Sequence, residues 1–317
     1  MVRITEYNQV GLMTDAKVEL LRLIQEYFPD QFGMVDQSRL LRPIDLRFKQ
    51  QNAIRFLESY VEEEAKGQSK PVGSKSLRRL AEPDIDRVVE VTENIGAGAF
   101  AKVFIRAQDI VEILPGAPPM KVMEEYFVAM DALKTHVFTD VELRGSGNLF
   151  NQRTITLDRL LLGAYEAANP SDVKCSINLN VESVFTRTFQ DFLSATGDKG
   201  FEKISFEFRQ ANVLQQFDEY EVATNLIKSK GGAIAIDAIF PETVGIVNMK
   251  RLRADYAKIF WRQGAEQILP DFEEDLIAMQ ESGTQIIFAR VDDETAVELG
   301  HDLGVNMFQG FYIDDLS

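Results

Sequence analysis

A chain of 317 residues with 45% hydrophobic content is long for one domain, comfortable for two, and able to bury a sizeable core. Its formal net charge of −16 sits mainly beyond residue 118, where 18 Lys and Arg face 32 Asp and Glu. So acidic a body repels polyphosphate and argues against nonspecific nucleic-acid binding and adhesion to anionic lipid. Cys175 is the only cysteine and His136 and His301 the only histidines. An intramolecular disulfide and a cysteine-cluster metal site are therefore excluded, and a metal here would be held by oxygen. No apolar run approaches a membrane span and the first residues lack a signal-peptide core, so a cytoplasmic protein with no membrane insertion is expected.

The N-terminal third reads as helical. Thr14 and Asp15 can cap a helix with Val18, Leu21, Ile24 and Phe28 on one stripe, and a second helix should follow Pro43. The run from Lys66 to Lys75 reads as a linker or exposed loop. A third helix is expected over 76–93, broken or restarted at Pro83. The glycine-rich stretch Ile95–Phe104 resembles the nucleotide loop of protein kinases, but no other kinase motif follows, and a turn between helix and strand explains it better. Pro115-Gly116-Ala117-Pro118-Pro119 marks the expected boundary between a helical region at 1–118 and a second domain at 119–317.

Beyond residue 122 the hydrophobic period shortens. Strands are expected at 125–130 and 137–143, then a helix at 158–168. Further strands near 174–179, 203–208, 233–237, 255–259, 284–289 and 306–311 alternate with helices near 187–195, 213–229, 263–280 and 294–302. Strand-then-helix units of this length imply a largely parallel sheet, closed or nearly closed, and eight strands in all fit an α/β barrel. Barrel enzymes keep their chemistry at strand ends. Here those ends carry Asn178, Glu207, Asp237, Lys258 and Asp292.

The residues then resemble a known family. Ser176-Ile177-Asn178-Leu179-Asn180 is similar to the Val-Asn-Leu-Ser strand of the EAL domain. Glu207-Phe208-Arg209-Gln210 stands at its Glu-x-Thr-Glu and Asp237-Ala238 at its Asp-Asp. Lys258 stands at its motif lysine, Val291-Asp292 at its Val-Glu, and Gln309-Gly310 at its terminal Gln-Gly. The resemblance runs over roughly 122–317 and implies a modified TIM barrel that binds or hydrolyses cyclic di-GMP. The signature glutamate is aligned through Asp140-Val141-Glu142-Leu143-Arg144, with Arg144 as the phosphate-facing arginine. Asp140 and Glu142 remain alternatives, because a one-residue slip exchanges the inward face.

By the same resemblance Asp140, Asn178, Glu207 and Asp237 form a vestigial oxygen site for a single Mg²⁺ or Mn²⁺ at most, and no cofactor is otherwise expected. Arg144 and Gln309 would contact a nucleotide. Lys258, Asp292 and Arg290 complete a vestigial polar cluster, in which Arg290 could stand in for a metal electrostatically. Ala238, Ala289, Arg290 and Gln210 occupy positions where the family carries Asp, Glu, Gly and Glu. Two-ion hydrolysis needs such groups. The expectation is therefore a pseudoenzyme without catalytic residues, a signalling regulator with a protein partner; a nonhydrolytic cyclic di-GMP receptor is the alternative, and an active cyclic di-GMP phosphodiesterase comes third.

Overall fold

The computed structural model describes residues 78–79, 81–142, 148–168, 170 and 172–316. The helices expected before residue 66, the 66–75 linker and Arg144 lie outside the described residues. The described chain begins with a two-residue strand β1 (Arg78–Arg79) and a long helix α1 (Glu82–Phe104). Pro83 falls in its first turn, where the missing N–H costs nothing, so proline starts this helix rather than breaking it. A kink sits at Gly96, with φ 78° and ψ 162°. The glycine-rich stretch is thus helical after the kink, and it buries Phe100 and Phe104.

The barrel is closed by eight strands in the order β10-β2-β3-β5-β6-β7-β8-β9. They are β2 (Ile105–Glu112), β3 (Met120–Val128), β5 (Lys174–Asn178), β6 (Ile204–Arg209), β7 (Ala233–Ile239), β8 (Tyr256–Phe260), β9 (Gln285–Ala289) and β10 (Met307–Phe308). Strand β2 runs antiparallel to both β3 and β10, and the other neighbours are parallel. An antiparallel pair can be joined by a short turn. The segment Pro115–Pro119 is that turn, so the proline-rich boundary expected from the sequence falls inside the barrel, and its first strand lies before it.

The expected strand at 137–143 is not a barrel strand. Helix α2 (Met130–His136) follows β3, with Asp131 in its first turn and Lys134 in its last, charges that suit the helix dipole. Val137, Phe138 and Val141 bury themselves in the outer layer, and β4 (Val141–Glu142) pairs with β1 in a separate two-stranded ribbon. This whole stretch belongs to the crossover between β3 and β5, which parallel strands require. The same crossover carries α3 (Asn148–Ala164).

Helices α4 (Arg187–Phe201), α5 (Phe217–Ser229), α6 (Glu273–Glu281) and α7 (Thr295–Asp302) cover the later strands. An aromatic stack of Phe189, Phe192, Phe201 and Phe206, with centroids 5.2–6.5 Å apart, packs α4 on β6. Inside the barrel a separate apolar floor is built by Ile110, Met123, Ala235, Tyr256, Ile287 and Met307.

Gly310 follows the last strand, and a Cβ there would lie 2.2 Å from the carbonyl oxygen and 2.3 Å from the nitrogen of Val291. The two segments are locked by Val291 N–H donating to Gln309 O at 2.9 Å and Tyr312 N–H to Val291 O at 3.1 Å. Only glycine permits that approach. Replacing it, G310A, should cost about 1–3 kcal/mol or more through overpacking against rigid backbone, read as a lower urea midpoint with an unchanged slope.

Candidate active site

Side chains alternate along a strand, so inward positions recur every second residue. Two residues beyond the apolar floor, the same strands present Glu125, Asp237, Lys258, Ala289 and Gln309. The change from apolar to polar along one interior face marks the mouth of the barrel.

Lys258 is at its centre, 2% exposed. Its Nζ donates to Glu125 Oε2 at 2.7 Å and to both oxygens of Glu207 at 2.9 Å. Glu125 also accepts from Asn178 Nδ2 and from Gln309 Nε2 at 2.7 Å. Ser176 Oγ donates to Glu207 Oε1 at 2.5 Å. Strands β3, β5, β6, β8 and β10 are thus joined through one buried ammonium and two carboxylates. Asp237 lies 7% exposed, and its Oδ1 is buried without a hydrogen-bond partner.

The protonation states follow from burial and mutual charge. Burial works against ionising Glu125, yet the Lys258 charge and the bonds from Lys258, Gln309 and Asn178 hold its carboxyl below the usual range. Burial, then the charge of Glu125, pushes Glu207 up to about 8 despite Lys258; Asp237 adds to the upward push. Burial opposes the charge on Lys258, but Glu125, Glu207 and Asp237 together raise it. The centre therefore favours an ionised Glu125 and a charged Lys258, with the Glu207 carboxyl pushed toward its protonated form.

The other half of the mouth is apolar. Ala238 adopts φ 57°, and the β7–β8 register shifts between Ile236 and Ile239. The bulge reverses the alternation, so Phe240 rather than Ile239 joins Phe260, Ala289 and Ala238 in a small cluster. Phe240 meets Phe260 edge-on at 5.6 Å. Arg290, at φ 64°, lays its guanidinium 3.8 Å over the Phe260 ring.

Of the residues expected from sequence, Asn178, Glu207, Asp237, Lys258 and Gln309 come together. Asp140 does not. It stands outside the barrel just before β4, side chain 51% exposed, paired with Arg78 at 2.7 Å and Arg87 at 3.5 Å. The inward glutamate is Glu125, which the sequence reading placed at the start of a strand without a role. The residue four positions on, where the family motif has arginine, is Ala129. Asp292 is exposed beyond Arg290 and joins none of these bonds, and the cation that neutralises the carboxylates is Lys258, not Arg290. Glu125 could have been found as the single charge two residues past Met123 on an inward face.

The donors Glu125, Asn178, Glu207 and Asp237 are oxygen ligands of the kind that hold Mg²⁺ or Mn²⁺. Among the described residues, however, no three His, Cys, Asp or Glu side chains are grouped to hold an ion, and the Lys258 ammonium fills the place between the two glutamates. In this arrangement the residues do not fit a two-ion centre.

The structure is a closed α/β barrel with one reversed strand and a lysine-centred acidic mouth. The EAL domain model matches residues 149–315, more than half of the chain, and the chain belongs to that family. The match begins after β3, which leaves Glu125 outside it. The fold is similar to that of the Bacillus subtilis YkuI protein, with an EAL domain, in complex with substrate c-di-GMP and calcium: TM-score 0.51, 16% identity, 71% of this chain and 56% of that one. It is also similar to the S helix-GGDEF-EAL portion of Vibrio cholerae LapD bound to c-di-GMP: TM-score 0.52, 14% identity, 81% and 63%. The chain therefore spans less than two thirds of either structure, and identities this low establish the fold alone. No curated protein sequence matches the chain. Among the described residues no helix is long and apolar enough to cross a membrane.

Two outcomes test these assignments. E125A leaves a buried ammonium short of its partner and should lower unfolding free energy by about 3–5 kcal/mol, whereas D140A, an exposed ion-pair partner, should leave the urea midpoint almost unchanged; equal losses would reverse the assignment. A raised Glu207 pKa contributes stability that is fully present below the ordinary glutamate value of 4.5 and is lost as pH rises through about 8. Thermal melts should therefore show the wild type losing ground to E207Q between about pH 5 and pH 8, and a pH-independent difference would contradict the buried proton.

Proposed function

We propose that this chain is a nonhydrolytic EAL-family signalling regulator of the bacterial cytoplasm that acts through contact with a protein partner. The observation that carries the reading is the apolar half of the mouth, where Ala238, Phe240, Phe260 and Ala289 cluster and a two-ion centre would need oxygen ligands. Where the family carries a second aspartate, Ala238 offers no oxygen, and where it carries Glu-Gly, Ala289 and Arg290 offer a methyl group and a guanidinium stacked on Phe260. The loop that follows β7 is a 3₁₀ turn at Pro241–Thr243 in place of an adaptable glycine run. Loss of such groups together costs orders of magnitude in rate.

A second reading, a cyclic di-GMP receptor without hydrolysis, is favoured by one observation. Arg106 and Arg209 stand at the mouth ends of β2 and β6, both exposed, as cations suited to phosphate oxygens. YkuI and LapD are described as complexes with that nucleotide.

Calorimetric titration of the full chain with cyclic di-GMP, with and without Mg²⁺ or Mn²⁺, followed by chromatography of the recovered nucleotide, tests both. The expected outcome is intact nucleotide in every condition. No heat supports the protein-contact role, micromolar binding moves the assignment to the receptor, and linear dinucleotide product at a turnover rate overturns the nonhydrolytic reading.

A further inference from the structure

Arg290 is an anomaly of position. It takes a left-handed backbone conformation, φ 64°, that costs a non-glycine residue on the order of 1–3 kcal/mol and persists only where the surroundings enforce it. The enforcement is visible. Trp261 N–H donates to Ala289 O at 2.7 Å on one side of the turn, and Val291 N–H to Gln309 O at 2.9 Å on the other. The turn so held aims the guanidinium at Phe260, with its carbon 3.8 Å from the ring centroid. At that separation no atom fits between them. Phe240 meets the same ring at 5.6 Å and an interplanar angle of 85°, and the exposed Arg290 covers one face of it.

We propose that Arg290 is a built-in competitor for the barrel mouth: its guanidinium covers the face of Phe260 on which a planar purine of a nucleotide ligand would stack, and it must swing away before such a ligand seats. The proposal rests on the second reading above, a cyclic di-GMP receptor, and not on the protein-contact reading. Guanidinium and purine are both flat and both favour an aromatic face, so one excludes the other. The polar half of the mouth, a span of hydrogen-bonded Glu125, Asn178, Lys258 and Gln309, stays as it is whichever group occupies Phe260.

The test is calorimetric titration of the full chain with cyclic di-GMP for the wild type, R290G and R290G combined with F260L. Removing a cation weakens a dianion's binding if charge dominates, so the competitor role predicts the opposite sign. R290G should bind roughly two- to thirtyfold more tightly, and F260L should cancel the gain. Equal or weaker binding by R290G, or a gain that survives F260L, overturns the proposal. The contact itself is read without nucleotide from the arginine side-chain NMR spectrum. The Nε–H resonance of Arg290 should lie upfield under the Phe260 ring current and return to the usual region in F260L; an unshifted resonance overturns the stacking. A shifted resonance with no heat from any variant removes the nucleotide-facing reading of the mouth, and the competitor role with it, while the contact stands.

Discussion

A single buried ammonium governs this barrel. Lys258 lies at 2% exposure, where an unpaired charge would be ruinous, and two carboxylates from different strands are drawn to it. Each carboxylate in turn gathers neutral donors: Asn178 and Gln309 on Glu125, Ser176 on Glu207. In a low-dielectric interior such a network is strong when complete and costly when any member is missing. It therefore pins five strand ends to one another with polar contacts, above a floor whose packing is purely apolar.

The mouth above that network is divided. One half is polar and crowded with partners, whereas the half formed by Ala238, Phe240, Phe260 and Ala289 is greasy. A backbone bulge makes the difference, because left-handed Ala238 turns Phe240 inward where regular alternation would have placed Ile239. One side holds charge, and the other presents an apolar surface.

Much of this was legible in the sequence, for physical reasons that can be named. The strands from 174 onward are buried on both faces and separated by helices, so their period and spacing show plainly, and the residues at their ends, Asn178, Glu207, Asp237, Lys258 and Gln309, fall at one mouth. The first hairpin was harder to read. Strand β2 follows α1 without a break and is partnered antiparallel on both sides, so it lacks the strand-helix rhythm of the rest. Missing it moved the signature position to the next apolar stretch, 137–143, whose Val137, Phe138 and Val141 are buried without joining the barrel sheet. Asp140 then stood in for Glu125. Its true partners, Arg78 and Arg87, are more than fifty residues earlier, and no local pattern announces them.

The reversed strand also dictates how the chain must be made. Residues Val111 and Glu112 of β2 find their partners in Met307 and Phe308, nearly two hundred residues later, so the ring of strands cannot shut until almost the whole barrel sequence has left the ribosome. Until then β2 and β9 present open edges, the surfaces on which nascent chains pair wrongly. A closure contact of such sequence separation makes folding slow, and it gives the short β10, only two residues long, the role of a clasp: the last and smallest piece to arrive decides when the molecule stops being vulnerable.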